Sequence, residues 1–247
     1  MIIKKIFTVL VLLSVFASAQ DAREIVKKSD EKVRGKSNIS EIKMTLVRPD
    51  WTREIGVKSW SKGNKLSMIL ITSPAKEKGQ AFLKRDNELW NWAPSISKMI
   101  KIPASMMMQS WMGSDFTNDD LLKESSVIDD YNHKILFSEK IDGTECYKIE
   151  LTPKSDAAVV WGRIYLWISK ADYNQLAAEY YDEDGVLVNR MLATNIREMG
   201  GKVIPTKMTM IPADKKGNKT VLEYISLQFD VNMEDDFFSQ QNMKNLR

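Results

Sequence analysis

From residue 42 onward the chain repeats one pattern. Apolar and polar residues alternate over about ten positions, and a short polar connection follows. Ile42, Met44 and Leu46 alternate with Glu41, Lys43 and Thr45. A period of two sends successive side chains to opposite faces, so each such run is a half-buried strand. Pro49-Asp50 and Gly63-Asn64 separate this run from those over Thr52–Ser61 and Lys65–Thr72. Asp184-Gly185, Gly200-Gly201 and Lys216-Gly217-Asn218 punctuate the later ones. Connections this short force antiparallel neighbours, so the chain reads as a meander. About eleven strands exceed what a flat open sheet holds without curling. The expected fold class is therefore α+β, mainly antiparallel β, with a strongly curved sheet wrapped around short helices.

Two stretches break the alternation. Ala22, Ile25, Val26, Ser29 and Val33 recur at helical spacing and end near Gly35, which predicts one amphipathic helix. Between Pro103 and Asp130, Met106-Met107-Met108, Trp111-Met112 and Asp119–Ser125 read as short helices joined by a Gly-Ser-Asp turn. Glu234–Lys244 reads as a polar tail with a last short helix.

The N-terminus carries a different message. Lys4 and Lys5 precede an uncharged run, Ile6–Phe16, and Ala17-Ser18-Ala19 then supplies small residues. This is the order of a secretory signal. The apolar run is too short to span ~30 Å of hydrocarbon. Residues 1–19 are expected to be removed, leaving 20–247 as a single exported domain. The whole chain has 36 Lys+Arg against 33 Asp+Glu, a net charge of +3. Without Lys4 and Lys5 the count is 34 against 33, or +1. So small an excess gives no reason to expect a nucleic-acid partner.

The chain has one cysteine, Cys146, and one histidine, His133. That excludes a disulfide framework, a Cys/His zinc site and haem bound by a Cys-x-x-Cys-His motif. Cys146 is expected on a strand as a small apolar residue, and His133 in a structural role at a turn. The doublets Asp119-Asp120, Asp129-Asp130 and Asp235-Asp236 point apart on any regular element, so they make poor acid/base pairs. No phosphate-binding or dinucleotide motif occurs. No cofactor and no catalysis are expected.

What the chain has in excess is soft apolar surface. It carries 14 Met and 7 Trp, with Met106, Met107, Met108 and Met112 gathered around Trp111. Methionine fits variable apolar shapes, so this cluster reads either as an ordinary helix packed on the sheet or as an apolar lid over it. Ile164, Leu166 and Ile168 alternate with Tyr165 and Trp167, and Leu89 with Trp90 and Trp92, giving some strands two apolar faces. The second face must be covered or must line a cavity.

Ser110-Trp111-Met112-Gly113-Ser114-Asp115-Phe116-Thr117-Asn118-Asp119-Asp120-Leu121 resembles a signature of the bacterial outer-membrane lipoprotein-sorting proteins, the LolA-like carriers of the lipoprotein-localisation superfamily. Leu89-Trp90-Asn91-Trp92-Ala93-Pro94-Ser95 and Lys101-Ile102-Pro103 resemble the strand and turn before it. The resemblance implies a half-barrel sheet closed by helices over a hydrophobic cavity for acyl chains. It also implies a periplasmic location and no catalysis. The expected cargo is the acyl chains of lipids or lipoproteins. The expected partners are an inner-membrane exporter of the resistance-nodulation-division type and an outer-membrane acceptor. A monomer is expected.

If even-numbered positions face inward, Met44, Leu46, Met68, Leu70, Trp90 and Trp92 line the sheet side of the cavity. Met106, Met107, Trp111, Met112 and Phe116 form the lid. Asp115, Asn118 and Asp119 then fix the lid's turn and cap its helix. The alternative is an envelope-stress sensor that uses the same fold to bind a protein partner.

Overall fold

A computed structural model describes residues 22–86, 88–122, 126–157 and 159–246. The expected signal, residues 1–19, lies outside them. The first helix, α1, runs over residues 22–34. It buries Ala22, Ile25, Val26 and Ser29, exposes Glu24, Lys27, Lys28 and Glu31, and carries a largely enclosed pair in which Arg34 bridges Asp30 at 2.8 Å one turn away. Gly35 ends it at φ +65°, where an added Cβ would lie 2.9 Å from the Phe229 ring.

Thirteen strands follow, two more than expected. The first wing holds β1 (Ser37–Val47), β2 (Thr52–Lys62), β3 (Leu66–Ser73), β4 (Ala81–Arg85), β5 (Glu88–Ala93) and β6 (Lys98–Lys101). The second holds β7 (Tyr131–Ile141), β8 (Thr144–Pro153), β9 (Arg163–Ser169), β10 (Gln175–Tyr181), β11 (Leu187–Met199), β12 (Lys202–Pro212) and β13 (Lys219–Phe229). All belong to one open antiparallel sheet in the order β6-β5-β4-β3-β2-β1-β13-β12-β11-β10-β9-β8-β7. The single meander of the sequence reading is thus two meanders, joined where β1 pairs β13 from Asn38↔Phe229 to Val47↔Lys219. Bulges at Glu41/Ile42, Gly56/Val57, Ile135/Phe137 and Gln175/Ala177 bend the strands and help curl the sheet.

The segment from residue 102 to 130 leaves one edge strand, β6, and reaches the other, β7. It crosses the inner face as two 3-10 turns, Ala104–Met106 and Trp111–Gly113, and two short helices, α2 (Asn118–Leu122) and α3 (Ser126–Asp129). Residues 123–125 of the expected helix lie outside the described ones. The inner face, α1 and this segment share one continuous core, from Met44 and Ile55 through Trp111 and Phe116 to Leu166 and Leu222.

The outer face of the first wing carries a second core. Met68, Leu70, Ala81 and Leu83 are buried there against Met233, Phe238 and Met243. The C-terminal stretch is therefore not a polar tail. A 3-10 turn (Asp235–Phe237) and α4 (Gln240–Asn245) strap it across the outer face. Ser239 caps α4 by accepting from the Asn242 N–H at 3.2 Å, Arg85 donates to the Phe238 carbonyl at 3.0 Å, and Lys62 bridges Asp235 at 2.6 Å.

Candidate functional site

The lid is pinned to the seam between the wings. Asp115 sits over β13, where its carboxylate accepts from Thr220 Oγ1 at 2.7 Å and its backbone N–H donates to the same oxygen at 2.9 Å. Arg48, just past β1, reaches Asp115 Oδ2 at 3.0 Å and the Gly113 carbonyl at 2.9 Å. Both side chains of this pair are largely buried, at 12% and 5% exposure. A fork with several donors suits that double contact.

The next turn is fixed by a reciprocal cap. The Thr117 N–H donates to Asp120 Oδ2 at 2.8 Å, and the Asp120 N–H donates to Thr117 Oγ1 at 3.1 Å. Asn118 ties the turn back to the Met106 carbonyl at 2.8 Å. Asp115 and Asn118 therefore fix the lid as expected, whereas the capping residue of α2 is Thr117 and its partner is Asp120, not Asp119. Trp161 Nε1 donates to the other Asp120 oxygen at 2.9 Å. Burial pushes the Asp120 carboxyl upward against these bonds, and it raises the Tyr131 phenol as well.

Three hollows surround this lid. Two flank α1 and meet at Val33, Met208, Leu222 and Tyr224. The one toward the second wing holds about 1300 Å³ including its mouth and is lined by Val26, Phe116, Trp161, Ile164, Leu166, Met191 and Met210, with Asp119, Asp120 and Tyr131 at a polar end. The one toward the first wing, about 1050 Å³, is lined by Ile42, Val57, Ile69 and Trp111 with several serines. The third, about 1060 Å³, opens between the lid and the first wing.

The expected site residues divide among these places. Phe116 lines the second-wing cavity, and Trp111 lines the first-wing cavity. Met106 and Met112 join Trp111 at the lid-side pocket. Met44, Leu46 and Met107 are buried in the inner core. Met68, Leu70, Trp90 and Trp92 are not with them: all four belong to the outer core under the C-terminal strap. The parity rule behind their assignment fails for a geometric reason. Residues paired across antiparallel strands share a face, and Met44 pairs with Ile55, so odd positions face inward in β2. Val57 pairs with Ile71, which keeps odd positions inward in β3, and Met68 pairs with Trp60 and Leu83 on the other side. Ile69, Phe82 and Leu89 take the inner places instead.

Trp161 and Tyr131 were missed by sequence reasoning. Trp161 lies in the stretch between β8 and β9, outside any period, and swings into the cavity with its ring 5.2 Å from that of Tyr180. His133 is buried and its Nε2 lies 2.8 Å from the Val127 carbonyl, tying β7 to α3. Burial lowers its pKa. Cys146 is buried on β8. Among the described residues, no three His, Cys, Asp or Glu side chains converge as metal ligands. No helix of the described residues is long and apolar enough to cross a membrane.

A curved open sheet, a helix inside it and a segment pinned over apolar space define a half-barrel fold. A family model described as "Uncharacterized protein" matches residues 63–245. Among solved structures, a LolA superfamily protein from Nitrosomonas europaea is 28% identical, with a TM-score of 0.78 over 90% of this chain and 98% of that one. A DUF1329 family protein from Desulfovibrio piger is 25% identical, with a TM-score of 0.83 over 92% and 99%. A putative outer membrane lipoprotein-sorting protein domain from Vibrio parahaemolyticus shares the fold at 23% identity, with a TM-score of 0.82 over 92% and 99%. The chain belongs to the family of that model, which spans most of its length, and it shares the fold of the LolA superfamily protein. Comparison with curated proteins finds no match.

Proposed function

We propose that the protein is a periplasmic, non-catalytic carrier that holds acyl chains of lipids or lipoproteins beside α1 and moves them from the inner to the outer membrane. The observation that carries this reading is the apolar second-wing cavity, roofed by Phe116 and walled by Ile164, Leu166, Met191 and Met210. Burying about sixteen carbons at ~0.8 kcal/mol per CH₂ offers about 12 kcal/mol before the costs of binding. That is enough to draw a chain out of water. The likeness to a LolA superfamily protein supports the carrier reading, and that reading takes an inner-membrane exporter and an outer-membrane acceptor as its partners. Native mass spectrometry of protein isolated from its own envelope should show co-purifying lipid, and the delipidated protein should take up a fluorescent fatty acid. A protein that carries no lipid and takes up none would refute the carrier reading.

A further inference from the structure

The curved sheet has two rims, where the connections between its strands turn. At one of them Val47 pairs with both Thr52 and Lys219, so the turn after β1 and the turn before β13 lie side by side. Antiparallel alternation brings residues 74–80 and 94–97 to the same rim. Close contacts join these four connections into one row. An added Cβ at Gly79 would lie 3.5 Å from the Pro94 ring, and one at Gly217 would lie 3.4 Å from the Pro49 ring. Arg53, at the start of β2, bridges Glu77 at 2.7 Å.

This stretch of rim is basic and carries bare apolar side chains. Lys76, Lys78, Lys98, Lys215, Lys216 and Lys219 stand exposed on it, and no ion pair among the described residues holds any of them. Only Asp50 and Asp214 oppose them, because Arg53 and Glu77 cancel each other and Arg48 is held by Asp115. Six lysines minus two aspartates leave four positive charges in one place, on a chain that is otherwise close to neutral. Trp51 is 50% exposed in the β1–β2 turn, and Ile96 is 57% exposed between β5 and β6. Farther along the same rim, on the second wing, Asp182, Glu183 and Asp184 reverse the sign.

We infer that the basic stretch docks the protein on an anionic phospholipid surface. Trp51 and Ile96 enter the headgroup layer, where an indole is at home, and the lysines meet lipid phosphates. The acidic stretch is repelled, so the first wing and the seam come down first. Arg53, Glu77 and Gln80 also line the lid-side pocket, so docking brings that pocket to the bilayer. Docking needs no cargo, and it stands or falls apart from the carrier reading.

Sedimentation with lipid vesicles tests this. The protein used is residues 20–247, which hold every described element and lack the apolar run Ile6–Phe16 that would bind lipid by itself. Vesicles of phosphatidylglycerol and phosphatidylethanolamine should bind it about tenfold more strongly than vesicles of phosphatidylcholine alone, and high salt should remove most of the difference. Lys76→Glu with Lys78→Glu should weaken binding to the anionic vesicles about tenfold, and Trp51→Ser about fivefold. Lys140→Glu with Lys170→Glu makes the same charge change at the opposite rim and should alter binding less than about twofold. All five positions are exposed, so the variants are compared at an unchanged urea midpoint. Equal binding to the two kinds of vesicle, or equal losses from the two lysine pairs, would overturn the inference. Failure to bind anionic vesicles at all would overturn it too, and would leave the rim to an acidic protein partner.

Discussion

Arg48 anchors the lid from outside it. Its guanidinium joins Asp115, the Gly113 carbonyl and the Lys219 carbonyl, so it ties the lid to both strands of the seam. Arg48→Ala would leave the Asp115 carboxylate buried with Thr220 and without its counter-charge, a loss on the order of 3 kcal/mol for a pair this enclosed. The expected result is a lower urea midpoint together with faster amide exchange at residues 111–117. Arg48→Lys should recover only part of this, because a point charge cannot match the double contact. An unchanged midpoint and unchanged exchange would show that Thr220 alone suffices. Asp120 makes a pH prediction. Its folded pKa is raised by burial above the ordinary value of 3.8, so the folded state holds its proton more tightly than the unfolded one. That contribution is complete below the unfolded pKa and fades as pH rises through the folded one. Wild-type stability, measured by denaturant titration relative to Asp120→Asn, should therefore be greater near pH 4 than at pH 7.5. A difference that shrinks toward acid would contradict the assignment. Neither role was legible beforehand: Arg48 follows a strand and precedes a proline, with nothing local to mark its partner 67 residues away.

At the scale of elements, the C-terminal strap is the least expected part. Val231, Met233, Phe237, Phe238 and Met243 follow no helical or strand period, and they stand among acids and amides. Local composition therefore read as a tail, although five apolar side chains suffice to cover one wing's outer face. Phe238 is fully buried, with its ring 5.2 Å from that of Phe237. Phe238→Ala should cost about 3–5 kcal/mol in denaturant titration. A loss under about 1 kcal/mol would mean that the strap is only loosely seated on the outer core. The regular elements were far more legible. α1 carries its 3.6-residue stripe openly, and most strands keep their alternation between polar turns. The lid's place in the chain was visible too, because alternation fails where the backbone stops being a sheet. Which face each strand buries was not visible in the first wing. Hairpin registers set it, and a single bulge such as that at Gly56/Val57 changes the count.

For the whole molecule, the class of architecture followed from strand number alone, since so many antiparallel strands must curl. The topology did not follow. A meander pairs neighbours in sequence, and nothing in β1 announces that its second partner lies at the far end of the chain. That single pairing turns a ribbon into a vessel. It brings the two wings to opposite sides of α1 and lets the lid close the space by running from one sheet edge to the other. The same pairing also sets an order of events during synthesis. β1 leaves the ribosome early and β13 nearly last, so the middle of the sheet is its final seam. Until then the first wing presents an open backbone edge at β1, the kind of edge on which strands from other chains can add. A truncated or stalled chain would thus fail at its centre rather than at its rim, and its hazard would be sticking to copies of itself.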